Sequence, residues 1–208
     1  MMKNGSNNHH SIFSHICDNL LFFMHFVKHP VRVAAPLPST RGATDLVRKE
    51  LVSAGVRRVV ELGPGLGSLT AGILEALGPD EKPLCIEMDP LFCRRLRRRF
   101  GDRIEIVQGN ALEAPQIVKG TVWEKPDAIV SSVPLINRSA HPLCETIADM
   151  LSPHGLYLQV ANFYGAVENY FDIKKTYHIM ANFPPEHLHI AFPKNGNSSG
   201  VDRPSGLS

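Results

Sequence analysis

The sequence has no run approaching the roughly twenty consecutive apolar residues that a membrane-spanning helix needs. Its N-terminal apolar stretch, Leu20 to Val27, is broken by His25 and followed by Lys28, His29 and Pro30. With no small-residue cleavage site, it does not read as a signal peptide. Charge of one sign is also lacking. Twenty-two basic residues stand against 20 acidic ones, a net charge of +2, which does not mark a nucleic-acid binder. Cysteine is scarce, and Cys17, Cys85, Cys93 and Cys144 lie far apart. That excludes a disulfide framework and fits the reduced thiols of a cytoplasmic protein. Neither Cys-x-x-Cys nor His-Glu-x-x-His occurs, and the ten histidines are mostly scattered, so no metal site is expected. There is no internal repeat.

What is present suits one α/β domain with a full core, because 43% of the 208 residues are hydrophobic. Residues 1–10 are polar and are expected to be a disordered tail. Ser11 to Val27 reads as a helix, since Ile12, Phe13, Ile16, Leu20, Phe23 and Val27 recur at spacings of three and four. Its phenylalanines give it two compatible roles, a lid over the domain or an amphipathic helix lying in a lipid interface. Pro30 ends it, and an extended piece carries the segment to residue 38. Residues 39–193 are the expected catalytic domain, with Ser39-Thr40 capping a helix from Arg41 to Ala54. The Gly/Ser/Asn-rich residues 194–208 are expected to be a second disordered tail.

The chain is organised around Val59-Val60-Glu61-Leu62-Gly63-Pro64-Gly65-Leu66-Gly67. A buried strand runs into three glycines and then a helix-like run from Ser68 to Leu77. Strand, glycine turn and helix N-terminus form a cradle for a nucleotide cofactor. Pro83 to Met88 is a second strand ending at Glu87, twenty residues after Gly67, where a carboxylate can accept from both ribose hydroxyls. Leu91 to Phe100 is a helix with five arginines, read either as a solvated face or as a face drawn to an anionic surface. Further strands are expected at Ile104–Gln108, Pro126–Ser132, Leu156–Ala161, Tyr177–Phe183 and His187–Phe192, with a helix at Ala140–Leu151. The last two strands, joined by Pro184-Pro185-Glu186, suit a hairpin. Strands alternating with helices imply a mainly parallel sheet whose ligands bind at the strands' carboxyl ends. Glu61 decides between cofactors. A carboxylate beside the turn repels a dinucleotide pyrophosphate, whereas S-adenosylmethionine has no phosphate and brings an ammonium group.

These segments resemble the motifs of class I S-adenosylmethionine-dependent methyltransferases. Val-Val-Glu-Leu-Gly-Pro-Gly-Leu-Gly looks like their first motif, Cys-Ile-Glu-Met-Asp-Pro their second, and Gly109-Asn110-Ala111 their third, with Asn110 where many members have Asp. The resemblance implies a Rossmann-like, seven-stranded, mostly parallel sheet with an antiparallel C-terminal hairpin and N-terminal helices. It also implies S-adenosylmethionine held by Glu61, Gly63, Gly65, Gly67, Glu87, Met88, Asn110, Ala111 and Ser131, the Asn110 side-chain carbonyl accepting from the adenine amino group.

For the acceptor, the stretch after the fourth strand is informative. Ribosomal RNA adenine dimethyltransferases carry Asn-Leu-Pro-Tyr there, whereas this chain has Ser131-Ser132-Val133-Pro134-Leu135, without the amide or the aromatic ring. It is similar to the Ser-Gly-Leu-Pro-Leu of bacterial phospholipid N-methyltransferases, with Ser132 for the family's Gly. Phe-x-x-His-Pro-x-x-Val-x-x-x-x-Pro-Ser-Thr-Arg and Asn182-Phe183-Pro184-Pro185 resemble that family as well, while Asn162 to Lys175 does not match it residue by residue. The resemblance implies methylation of a phospholipid amine such as phosphatidylethanolamine, with no stable nucleic-acid partner. The enzyme is then cytoplasmic, or peripheral at the inner membrane face through Ser11–Lys28. Phe23, Ser39, Ser132, Pro134 and Leu135 are the expected acceptor contacts. Tyr164 and Tyr177 are candidates to orient the amine, and His141 to take its proton. A soluble small-molecule methyltransferase with an N-terminal lid and an rRNA adenine methyltransferase are the alternatives.

Overall fold

The computed structural model describes residues 38–135, 140–161, 166–179 and 186–194. The N-terminal helix expected at Ser11–Val27, both tails, and the candidates Phe23 and Tyr164 lie outside these residues.

Helix α1 (Pro38–Ala54) is amphipathic. Ala43, Val47 and Leu51, four residues apart, form its buried stripe, and Gly55 follows it at φ 62°, the left-handed conformation that closes helices. The helix starts at Pro38, slightly before the expected Arg41, and Ser39 lies in its first turn. Strand β1 (Val59–Leu62) leads through the glycine turn into α2 (Ser68–Ala76), and β2 (Leu84–Glu87) into α3 (Pro90–Phe100). Asp89 caps α3, its carboxylate accepting from the Leu91 N–H at 2.6 Å and the Phe92 N–H at 3.3 Å. Next come β3 (Glu105–Gln108), a 3₁₀ turn at Ala111–Glu113, the short α4 (Ala114–Val118), β4 (Ala128–Ser131), α5 (Ala140–Met150), β5 (Leu156–Ala161), α6 (Val167–Tyr170), β6 (Phe171–Ile179) and β7 (Glu186–Pro193).

The seven strands form one sheet in the order β3-β2-β1-β4-β5-β7-β6. The first five pair in parallel, and β7 runs antiparallel between β5 and β6. Strands β1, β2 and β4 are buried at every position, which is why they read as near-continuous apolar runs, with polar residues only at Glu61, Glu87 and Ser131. One face of the sheet packs Val60, Leu62, Ile86 and Ile129 against α4 and α5 residues such as Val118, Leu143 and Ile147. The other packs Val59, Val130 and Leu158 under Val47 and Leu51 of α1 and Ile73 of α2. Helices α1 and α2 approach closely, since a Cβ on Gly72 would stand 2.7 Å from the Thr44 carbonyl oxygen.

The structure corrects one strand. β6 begins at Phe171 rather than Tyr177, and Asn162–Lys175 holds α6 and the first half of β6. As an edge strand it exposes Asp172, Lys174, Lys175 and Thr176. Charge on an edge blocks pairing with other chains, and it also erases the apolar run by which a strand is recognised.

Candidate cofactor and acceptor site

Topology brings the carboxyl ends of β1, β2, β3 and β4 to one rim. The strand order reverses between β1, which leads to β2 on one side, and β4 on the other. Such a switch point leaves a crevice outside the strand ends. The Gly63–Gly67 turn, Glu87-Met88, Asn110-Ala111 and Ser131–Leu135 all lie along it.

The three glycines meet three different needs. All have positive φ, 69° at Gly63, 56° at Gly65 and 81° at Gly67. A Cβ on Gly67 would stand 2.5 Å from Phe100 Cε2 and 2.8 Å from Leu96 Cδ2, so this glycine lets α3 pack against the turn. A Cβ on Gly63 would meet Val133 Cγ2 at 3.0 Å, in the loop after β4. Gly65 faces open space, with nothing among the described residues within 4 Å of a Cβ placed there, and is the place where a ligand can reach the backbone. Gly67, the residue before α2, offers no side-chain cap, which leaves the helix's first N–H groups for a ligand.

Two buried carboxylates flank the turn. Glu87 is 2% exposed. Its Oε2 accepts from the Gly65 N–H and its Oε1 from the Asp89 N–H, both at 2.9 Å. Each oxygen retains acceptor capacity toward a ligand hydroxyl. Glu61 is 1% exposed. Its Oε2 accepts from the Thr70 hydroxyl at 2.7 Å and the Cys85 thiol at 3.5 Å, while Oε1 is buried with no hydrogen-bond partner among the described residues. Burial pushes the Glu61 carboxyl up to about 7, against the Thr70 and Cys85 hydrogen bonds. A buried, unpaired acceptor beside an open turn calls for a cationic donor, and the ammonium of S-adenosylmethionine meets that need, directly or through water. The residues present therefore fit this group. Asn110 has local partners in its own turn. Its side-chain oxygen accepts from the Leu112 N–H at 3.0 Å, and Glu113 accepts from the Asn110 N–H at 3.3 Å. Asn110 thus shapes the turn carrying Ala111 through its side-chain carbonyl.

Beyond β4, Ser131 is fully buried and its hydroxyl accepts from the Val133 N–H at 3.2 Å. Exposed Ser132 donates from its hydroxyl to the Gly63 carbonyl at 2.6 Å, tying this loop to the glycine turn. Pro134 is exposed, but Leu135 is only 5% exposed and packs in the core beside α5, so it supports the loop from below. His141 is exposed at the start of α5, edge-on to Tyr170 at 6.0 Å. Tyr177 is not brought to the rim. It lies on edge strand β6, with its hydroxyl donating to Glu50 of α1 and the Lys175 ammonium 4.3 Å from its ring. The sequence reading missed Thr70, which orients Glu61, and Tyr157 and Gln159, which lie beneath the loop. Gln159 had a signal, as the one amide inside the apolar run Leu156–Ala161.

The ribosomal RNA adenine dimethylase family model matches residues 55–187. The chain belongs to this family. It is an S-adenosylmethionine-dependent methyltransferase. This methyltransferase is 30% identical over 148 residues to the ornithine lipid N-methyltransferase of Singulisphaera acidiphila, covering 69% of this chain and 77% of that protein. It is 40% identical over 72 residues to ribosomal RNA small subunit methyltransferase A of Burkholderia cenocepacia, a match spanning 34% of this chain and 26% of the relative. Among solved structures it resembles the 1,6-didemethyltoxoflavin-N1-methyltransferase of Burkholderia thailandensis, with TM-score 0.64, 13% identity, and 92% and 93% of the two chains covered. It also resembles Aeropyrum pernix fibrillarin with bound S-adenosylmethionine, with TM-score 0.55, 18% identity, and 65% and 66% covered. At these identities the structural likenesses speak for the methyltransferase's fold.

Proposed function

We propose that this methyltransferase adds methyl groups to the amine of a membrane-lipid headgroup, of the ornithine-lipid or phosphatidylethanolamine kind. The observation that carries the reading is the Ser131–Leu135 loop. It lacks the amide and the aromatic ring that would grip a nucleobase, and offers small hydroxyls and Pro134 instead. The ornithine lipid relative, similar over more of the chain than the ribosomal RNA one, supports it.

When bound, S-adenosylmethionine supplies a methyl on an electrophilic sulfonium. The chain's residues then have three tasks. Gly65, Glu61 and Glu87 hold the cofactor. The Ser131–Leu135 loop lines the approach of the amine, which must be held in line and shielded from water. A base must also take a proton, because an alkylammonium has no lone pair. His141 and Tyr164 are proposed for the proton and for orienting the amine; Tyr177, engaged with Glu50, has no part in it. Arg94, Arg95 and Arg98 on α3 are exposed and form no ion pair among the described residues. They are proposed to draw the enzyme to anionic membrane.

The test is tritiated methyl transfer from S-adenosylmethionine to vesicles of ornithine lipid or phosphatidylethanolamine, run beside small-subunit ribosomal RNA. Saturable transfer to a lipid amine is expected. Transfer to RNA with none to either lipid overturns the reading.

A further inference from the structure

The loop after β4 is gripped from below by two buried polar residues of β5, Tyr157 and Gln159, that neither the cofactor motif nor the acceptor motif includes. Gln159 of β5 is fully buried and pairs in register with Ser131 of β4. Its Nε2 donates to the Val133 and Val160 carbonyls, each at 3.1 Å. Two carbonyl acceptors on that side fix the amide orientation. The opposite atom, Oε1, accepts from the hydroxyl of Tyr157, itself fully buried with its ring 4.6 Å from that of Phe171. The Ser131 hydroxyl, in register with Gln159, accepts from the Val133 N–H.

Both backbone polar groups of Val133 are thus held from beneath, while its side chain stands against Gly63 and its neighbour Ser132 bonds the Gly63 carbonyl. The geometry points to Gln159 as a positioning residue for methyl transfer, holding the acceptor loop in register with the cofactor turn through Val133. This rests on the reading that the acceptor approaches over Ser131–Leu135. In-line displacement makes the register matter, since a misplacement of about 1 Å costs on the order of a hundredfold in rate. Hydrogen bonds linked in a chain, as from Tyr157 through Gln159 to Val133, also reinforce one another, and a broken link leaves buried groups unpaired.

Gln159→Met keeps the length of the side chain and removes every polar bond it makes. Three readouts apply: amide hydrogen exchange at Val133, cofactor affinity by calorimetry, and turnover. Exchange at Val133 is expected to quicken at least tenfold and kcat to fall on the order of 10- to 100-fold, with cofactor affinity unchanged within about twofold. A folded variant with unchanged exchange or unchanged kcat overturns the proposal. So does equal loss of cofactor binding and turnover, which would mark a merely structural residue. Should Gln159→Met not fold, Tyr157→Phe breaks a single link, and the same outcomes, expected at several-fold, decide. A wild type that labels no lipid refutes the acceptor reading instead. Exchange at Val133 still reports the clamp, and kcat is then followed on whichever acceptor the wild type labels.

Discussion

Replacing Gly67 and Gly65 by alanine, one at a time, should separate the two jobs of the glycine turn. At Gly67 the new Cβ falls 2.5 Å from Phe100 and 2.8 Å from Leu96, which is 1% exposed. Overpacking costs about 1–3 kcal/mol, and the left-handed backbone at φ 81° adds about 1–2 kcal/mol for any residue with a Cβ. A loss near 3 kcal/mol lowers the melting temperature by roughly 6–12 °C in a chain of this size. At Gly65 the Cβ meets nothing within 4 Å among the described residues, so only the backbone term remains and the melting temperature should fall by roughly 2–8 °C. The same methyl, however, enters the space left for the ligand. An overlap of about 1–3 kcal/mol there weakens S-adenosylmethionine by between about fivefold and about 150-fold. Thermal unfolding without ligand and titration calorimetry with it read the two effects separately. Gly67→Ala as stable as wild type, or Gly65→Ala with wild-type affinity, would refute the division of labour.

Three other outcomes are expected. Glu61→Gln should reveal the pH dependence that its burial imposes. The folded carboxyl is raised to about 7, so its contribution is full below the ordinary carboxylate range and lost as pH rises through 7, a swing of order 3 kcal/mol. Burial lowers His189 to about 4, helped by His187 and His178, so its effect runs the opposite way between roughly pH 6.5 and 4. Only the difference between wild type and Glu61→Gln, followed by urea unfolding at several pH values, isolates Glu61; a difference independent of pH contradicts the assignment. Glu87→Ala should weaken S-adenosylmethionine on the order of a hundredfold by calorimetry, since hydrogen bonds to a charged group are worth about 1.5–3 kcal/mol each; unchanged affinity contradicts the placement of the ribose. Replacing Arg94, Arg95 and Arg98 with Gln should reduce sedimentation with anionic vesicles at low salt by about 1 kcal/mol per charge, and equal binding by the variant removes α3 from the membrane contact.

The parallel half of the fold was legible because its strands are covered on both faces. Val59–Leu62, Leu84–Glu87 and Ala128–Ser131 have no polar face to interrupt the apolar run. The glycine turn was legible for a related reason: side-chain packing at Gly67 and positive φ at all three positions leave glycine as the residue that fits. What resisted reading was structure decided by neighbours distant in sequence. Edge strand β6 alternates with charge, and nothing local shows that Phe171 starts it. Tyr177 looked available until α1 brought Glu50 beside it. Leu135 sits in a motif that faces the crevice, yet its side chain turns into the core. The hydrogen bond from Gln159 to the Val133 carbonyl joins residues 26 apart, and only the pairing of β4 with β5 places them together. A lone amide inside an apolar strand is the sequence's trace of it.

The central claim concerns the acceptor, and labelling an unselected extract tests it most directly. Enzyme and tritiated S-adenosylmethionine are incubated with total cell extract, which is then separated into lipid, RNA and aqueous fractions and counted. The account predicts label in an amine-bearing lipid, dependent on Gly65 and Glu87. Label in RNA or in aqueous metabolites, with none in lipid, would contradict it.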